Sequence, residues 1–324
     1  IGLLLLMLVA AFLMPVVSID PVASRYYQWL EPYEDRMDDL SDMLFPDMDG
    51  SGGRFGRGAG GGMPNEFLLR AGSDLGEDEV MRVRPSDAVS DGPPGETPPP
   101  PGHYMRSATF ADYDGLGWGH RSGEMRKTVP ASERWANIEW QGRKRLVQSV
   151  SLSVYSSVIF AAPEPIETTV DHTARVRADG DLVALIARSS SYGVVSSIPA
   201  VSDETMAAAV GWDESRLLPE AYAMHLELPD TVTERTRQLA LELTEGLESP
   251  YAKAQAIEAY LRTYEYDLTV SEPPSQVTDV ADYFLFDLQR GYCDYYATAF
   301  VVMARAVGLP ARFATGYAVG SWDA

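Results

Sequence analysis

One cysteine, Cys293, stands in 324 residues, so no intramolecular disulfide can form and there is no second thiolate for a zinc ribbon. The four histidines, His103, His120, His172 and His225, are scattered, with no His-x-x-x-His pair to place two ligands on one helix face. No metal and no cofactor are expected. Positive charge is scarce as well: 26 Lys and Arg against 47 Asp and Glu give a formal charge of −21. Affinity built on neutralising phosphates has no basic surface to draw on, which excludes nucleic acid as the expected partner. Glycine and proline, at 27 and 22 residues, are too few and too aperiodic for a collagen-like chain. A composition of 45% hydrophobic and 23% charged residues excludes a wholly disordered one. The length corresponds to roughly two domains.

The first residue is Ile rather than Met, and residues 1–19 form one uncharged apolar run. About 20 such residues cross a bilayer core, so the run reads as a transmembrane helix. It lacks the basic start of a signal peptide. The flank that follows, Asp20 to Gly102, carries a net charge of −10. Segments kept in the cytoplasm are enriched in Lys and Arg, so this flank reads as extracytoplasmic. Residues 49–62 are Gly-rich and residues 92–102 Pro-rich, a flexible coil and a stiffer polyproline stretch. Residues 20–102 are accordingly read as an acidic linker region.

Beyond it the periodicity changes twice. From His103 to Ala200 short β-branched and aromatic runs are broken by turn residues: LVQSVSLSVY (146–155) alternates apolar and polar positions, and ARVRADGDLVALIA (174–187) is two alternating runs. The pair Asp179-Gly180 between two such runs predicts a type I′ hairpin. This is a β-rich domain, 103–200. From residue 201 the period becomes helical. TVTERTRQLALEL (231–243) brings Leu239, Ala240 and Leu243 onto one stripe, and a second helix starts at Ser249 with Pro250 at its first position.

The chemistry-bearing stretch lies near the end. Cys293, Ala297, Phe300, Val301, Ala304 and Val307 follow a core-facing helical spacing that stops at Gly308, with Pro310 just beyond. Cys293 therefore opens a helix, where unsatisfied backbone N–H groups and the positive end of the macrodipole favour thiolate over thiol. The N–H of Cys293 could also face a developing oxyanion. A small buried hydrophobe at the head of an amphipathic helix fits the same spacing, and periodicity alone does not separate the two.

Gly291-Tyr292-Cys293, the Ala-rich helix to Arg305-Ala306-Val307-Gly308-Leu309-Pro310-Ala311-Arg312, and Thr315-Gly316-Tyr317 together resemble the core of the bacterial transglutaminase-like superfamily of papain-like Cys-His-Asp proteins. SPYAKAQAIEAYLRTYEYDL and DVADYFLF resemble the elements preceding the nucleophile there, and YMRSATFADYDGLGW (104–118) resembles an extracytoplasmic segment of membrane-anchored members. The resemblance implies that Cys293 is the nucleophile, attacking a carboxamide or peptide carbonyl to give a thioester, with a His carrying the proton and an Asp orienting it. It also implies that this His follows the Cys by more than about thirty residues. The chain reaches Ala324, with no His after Cys293. The expectation is a fragment, inactive by itself, whose catalytic His and Asp lie beyond residue 324.

Other candidates are weaker. Asp47-Met-Asp49-Gly-Ser51 opens like a calcium loop, but Gly58 stands where a bidentate Glu is needed. Asp112 and Asp114 read as turn formers rather than a catalytic pair. Asp294 complements the helix N-terminus and is expected to point away from the sulfur, where its charge would oppose the thiolate. Tyr292, Tyr295 and Tyr296 either line a groove or pack.

The sequence thus predicts an α+β protein: a transmembrane helix (1–19), a linker region (20–102), a β-rich extracytoplasmic domain (103–200) and the N-terminal part of a papain-like transglutaminase core (201–324). Its expected work is acyl transfer or hydrolysis on protein or peptide amides, including cell-wall peptides. The competing expectation is a non-catalytic envelope-binding protein with a degenerate core. Deleting residues 1–19 should move the protein from the membrane pellet to the supernatant on ultracentrifugation; retention in the pellet would point to a different anchor.

Overall fold

A computed structural model describes residues 66–68, 79–87, 101–119, 124–136, 142–154, 156–209 and 222–321, all within a compact unit spanning Gly52–Ala324. The predicted membrane helix and the calcium-like loop lie outside the described residues. No helix among those described is long and apolar enough to cross a membrane.

Along the chain the strands are β1 (Glu66–Leu68), β2 (Met81–Pro85), β3 (Met105–Phe110), β4 (Asp112–Tyr113), β5 (Gly117–Gly119), β6 (Met125–Val129) and β7 (Arg143–Leu152). They continue as β8 (Pro165–Thr168), β9 (His172–Val176), β10 (Leu182–Ile186), β11 (Ser191–Pro199), β12 (Glu265–Tyr266), β13 (Arg290–Gly291) and β14 (Phe313–Tyr317). The helices are α1 (Asp203–Ala208), α2 (Glu234–Leu243), α3 (Pro250–Leu261), α4 (Val280–Tyr283, running into a π turn at Phe284–Leu288) and α5 (Cys293–Ala306).

Two antiparallel sheets, ordered β2-β7-β11-β8 and β14-β3-β10-β9-β6, form the β-rich part. Val150, Tyr192 and Val194 of the first meet Met105, Ala174, Leu182 and Leu185 of the second in one apolar layer. The other face of the second sheet, through Ala108, Phe110, Val183 and Phe313, packs on Val301 and Val302 of α5. Strands β3 and β10 are consequently buried on both faces, which is why they carry unbroken buried runs instead of the alternation expected for 182–187.

Three expectations are corrected here. The linker region 20–102 contains two strands, and β2 pairs with β7 from Met81↔Leu152 to Pro85↔Gln148. Met81 and Val83 alternate with exposed arginines, and Pro85 is tolerated because β2 is an edge strand. The Asp179-Gly180 hairpin is not type I′, since Gly180 has φ +86° while Asp179 does not adopt positive φ. Gly180 N–H donates to Arg177 O at 2.9 Å, a type I turn followed by a left-handed glycine, and the Asp179 side chain accepts from Asp181 N–H at 2.9 Å. Finally, the predicted stripe of α5 is buried only in part, at Val301 and Ala304. Cys293 is exposed and Ala297 and Phe300 only half-buried, while Tyr295, Thr298, Ala299, Val302 and Met303 are buried. The helix lies between the sheet and the helices α2, α3 and α4, so apolar residues are needed nearly all round it and a single stripe misleads.

Strand β14 crosses the sequence division at residue 200, pairing with β3 from Phe313↔Phe110 to Tyr317↔Met105. An added Cβ on Gly316 would stand 2.0 Å from the Met105 carbonyl oxygen, so only glycine permits this approach. Arg305, near the end of α5 and 4% exposed, fixes the same junction. Its guanidinium donates to the carbonyls of Ala311 at 2.9 Å, Glu227 at 2.8 Å and Ala111 at 2.8 Å, and lies 5.3 Å from the Trp118 ring centre. Trp118 in turn donates to Thr298 Oγ1 at 2.9 Å and stacks on Phe313 at 5.3 Å. Replacing Arg305 by Met keeps much of the volume but strands three carbonyls. We predict that it lowers unfolding free energy by about 3 kcal/mol or more, measured by urea denaturation; a change under about 1 kcal/mol would refute this account.

Candidate active site

The start of α5 is placed by a short parallel pair. Strand β12 pairs with β13 in the register Glu265↔Arg290 and Tyr266↔Gly291, and the Asp267 N–H donates to Gly291 O at 2.8 Å. Gly291 passes over Tyr295, whose ring a Cβ would meet at 3.0 Å. Tyr292 and Tyr295 are buried, edge to face at 5.2 Å, and Tyr295 stacks on Phe284 at 5.6 Å. These two tyrosines pack and do not line a groove; they wedge the helix start into the core. Cys293, the first residue of the helix, is left exposed, and Tyr292 supplies no side-chain cap to the opening turn. Both features suit a nucleophile.

The electrostatics differ from the expectation. Asp294 does not turn away: the Cys293 thiol donates to its Oδ1 at 3.3 Å. Desolvation and then the Asp294 charge push the thiol up to about 12, and burial pushes the Asp294 carboxyl up to about 6. Tyr266 works the other way, since its hydroxyl stabilises the thiolate. In this arrangement the helix N-terminus does not outweigh an adjacent carboxylate and partial desolvation.

The described histidines are each engaged away from Cys293. His103 Nε2 is 3.0 Å from Asp87, His172 Nδ1 is 3.1 Å from Val170 O, and His225 Nε2 is 3.0 Å from Asp179. His120 lies outside the described residues. Asp114 forms a turn, accepting from Leu116 and Gly117 N–H at 2.8 Å each, and does not pair with Asp112 as a catalytic couple. Among the described residues no cluster of three or more His, Cys, Asp or Glu could hold a metal ion.

Sequence reasoning missed Tyr266 as a neighbour of Cys293. The residue is 27 positions upstream in a two-residue strand, too short for a periodicity signal. The local hint is Tyr264-Glu265-Tyr266, where alternation turns Tyr264 inward, onto Leu285 O at 2.6 Å, and leaves Tyr266 exposed.

Comparison with known proteins places these features in context. The family described as the TgpA N-terminal domain matches residues 40–203, and the transglutaminase-like superfamily matches residues 237–324. The chain is 37% identical over 100 residues to the uncharacterized protein YebA of Bacillus subtilis, covering 30% of this chain and 14% of that protein. It is 36% identical over 107 residues to a protein-glutamine gamma-glutamyltransferase of Pseudomonas aeruginosa, covering 33% of this chain and 16% of that protein. Only about a seventh of the length of each of these relatives is matched. Among solved structures, the periplasmic domain of TgpA from Pseudomonas aeruginosa superposes with a TM-score of 0.53 at 25% identity, covering 81% of this chain and 83% of that one. The same domain bound to ethylmercury gives 0.50 at 23% identity over 81% and 84%. The fold is the mixed α/β transglutaminase-like fold of that domain.

A thiol raised to about 12 has little thiolate at pH 8. Iodoacetamide should therefore alkylate Cys293 of the folded protein at least about tenfold more slowly than free cysteine, with a rate still climbing between pH 8 and 10. A plateau below pH 8 would mean that the thiolate is stabilised after all.

Proposed function

The chain belongs to the TgpA family, with a TgpA N-terminal domain followed by a transglutaminase-like core, and from that premise we propose that it performs thiol-dependent acyl chemistry on protein or peptide amides. One observation carries the reading: Cys293 is the first residue of a buried helix, with its side chain exposed at the uncapped end, inside the matched core. A sulfur so placed is open to a carbonyl carbon while the backbone beneath it is held rigid.

In the proposed cycle the Cys293 thiolate adds to the carboxamide carbon and the C–N bond breaks. Ammonia or an amine leaves with a proton from a general acid, and a thioester remains. An amine or water then attacks the thioester and the thiolate departs. The general acid and base we assign to a histidine oriented by an aspartate, as in the Cys-His-Asp proteins the core resembles. That assignment follows the resemblance and is consistent with the described histidines, each engaged away from Cys293.

The Pseudomonas aeruginosa relative is named a protein-glutamine gamma-glutamyltransferase. That name favours glutamine carboxamides as the acyl donors here too. The periplasmic origin of the superposed domain supports an extracytoplasmic position for the soluble part, and we assign its tether to the apolar run 1–19. Peptides of the cell envelope are then the accessible substrates.

The second reading, a non-catalytic binding module, is favoured by the thiol pushed up to about 12 beside Asp294. One experiment separates the two. In the full-length gene product, incorporation of a fluorescent primary amine into a glutamine-containing protein, together with ammonia release, should fall about a thousandfold or more in Cys293→Ala. Ammonia release without amine incorporation would select hydrolysis. Absence of both in the wild type, across several amide donors, would favour the binding module.

A further inference from the structure

We propose that Asp294 selects the acyl acceptor: once Cys293 carries the acyl group, the Asp294 carboxylate binds a primary ammonium group, such as that of a lysine side chain, takes a proton from it and so directs the thioester to amine rather than to water. The role rests on the reading of Cys293 as the nucleophile and deepens it.

Asp294 is the second residue of α5, one position after the sulfur. In the resting protein the Cys293 thiol donates to Asp294 Oδ1 at 3.3 Å. Among the described residues no other donor is hydrogen-bonded to this carboxylate, and no Lys, Arg or His pairs with it. Arg290, three positions before the sulfur, is turned to Asp267 at 3.7 Å. Burial raises the Asp294 carboxyl to about 6, so near neutral pH a partly desolvated carboxylate is served by one weak S–H donor.

Acylation takes that donor away, because a thioester sulfur carries no proton. The carboxylate is then left beside the thioester without a partner, and an unpaired charge withdrawn from water is costly. An alkylammonium relieves the cost with three N–H donors and a compensating charge; water brings donors but no charge. Cys293 is exposed, so such a group reaches the carboxylate from solvent.

The protons balance around this residue. The acceptor arrives as R–NH3+ and gives one proton to Asp294, and the freed nitrogen lone pair adds to the thioester carbon. The π pair moves onto oxygen and returns as the C–S bond breaks, and sulfur leaves as thiolate with the bonding pair. The second nitrogen proton passes to the general base of the cycle and the third stays on the new amide. The proton held by Asp294 returns to sulfur, which restores the resting hydrogen bond.

The test uses the full-length gene product near neutral pH with a glutamine-containing peptide as acyl donor. Each thioester formed releases one ammonia, so product per ammonia reads how the thioester partitions, whatever its rate of formation. Two acceptors are compared: dansylcadaverine, whose reacting amine is a cation at this pH, and hydroxylamine, which is neutral. In Asp294→Asn the dansylcadaverine incorporated per ammonia should fall about tenfold or more, while hydroxamate per ammonia changes by less than about twofold. Asp294→Glu keeps a carboxylate and should lie nearer to the wild type than to Asp294→Asn. A fall in both products alike, a fall in neither, or a Glu variant as low as the Asn variant would overturn the role of Asp294 and leave the nucleophile standing. Ammonia release that persists in Cys293→Ala, or that is missing from the wild type, would remove the nucleophile reading itself, and the proposal with it.

Discussion

The structure turns on the seating of one helix. Helix α5 carries the reactive cysteine at its first residue and a buried arginine near its last turn, and the arginine settles where the helix can lie. A guanidinium cannot leave water without acceptors for its protons. Those of Arg305 come from Ala111, Glu227 and Ala311, three segments that no other single residue gathers among the hydrogen bonds described. The far end is fixed by aromatic packing of Tyr292, Tyr295 and Phe284. Held at both ends, the helix presents Cys293 on rigid backbone, which is what an attack geometry requires.

The sulfur's surroundings are a contest between neighbours of opposite effect. An uncapped helix start and a phenol favour the charged thiol, while Asp294 and loss of solvent oppose it, and the opposing pair is stronger. A thiol kept protonated in the resting state is protected from oxidation and stray acylation. Activation then depends on a base or on a substrate that alters these contacts.

A second cluster of charges holds the β-rich part to the segment around β14. Arg312 contacts both Glu164 and Asp181, Arg106 donates to Glu164 at 2.8 Å, Arg177 pairs with Asp181, and His225 approaches Asp179 at 3.0 Å. None of this was legible in the sequence, because the partners are separated by as many as 148 positions and ion pairing leaves no periodic trace. By contrast, the limits of α5 are legible: Gly308 adopts φ +79° just past its end, and Gly291 marks the approach. The nucleophile is legible through the resemblance its flanks carry. What misleads is the assumption of one buried face. The stripe drawn through Cys293 and Phe300 presumes a surface helix, and α5 is sandwiched. The direction of Asp294 and the nearness of Tyr266 depend on rotamers and on a two-residue strand, below the reach of pattern.

Strand β14 has a consequence for how the chain comes together in time. Its partner β3 is made first by some two hundred residues, since Ser107 ends up bonded to Thr315 across a separation of 208 positions. During N-to-C synthesis the newly made sheet waits with the flank of β3 unpaired, an open template for any extended chain nearby. Pairings of such sequence separation raise the contact order, which slows folding relative to chains held by local helical contacts. A protein built this way profits from a chaperone that shields the β3 edge until the C-terminal segment arrives.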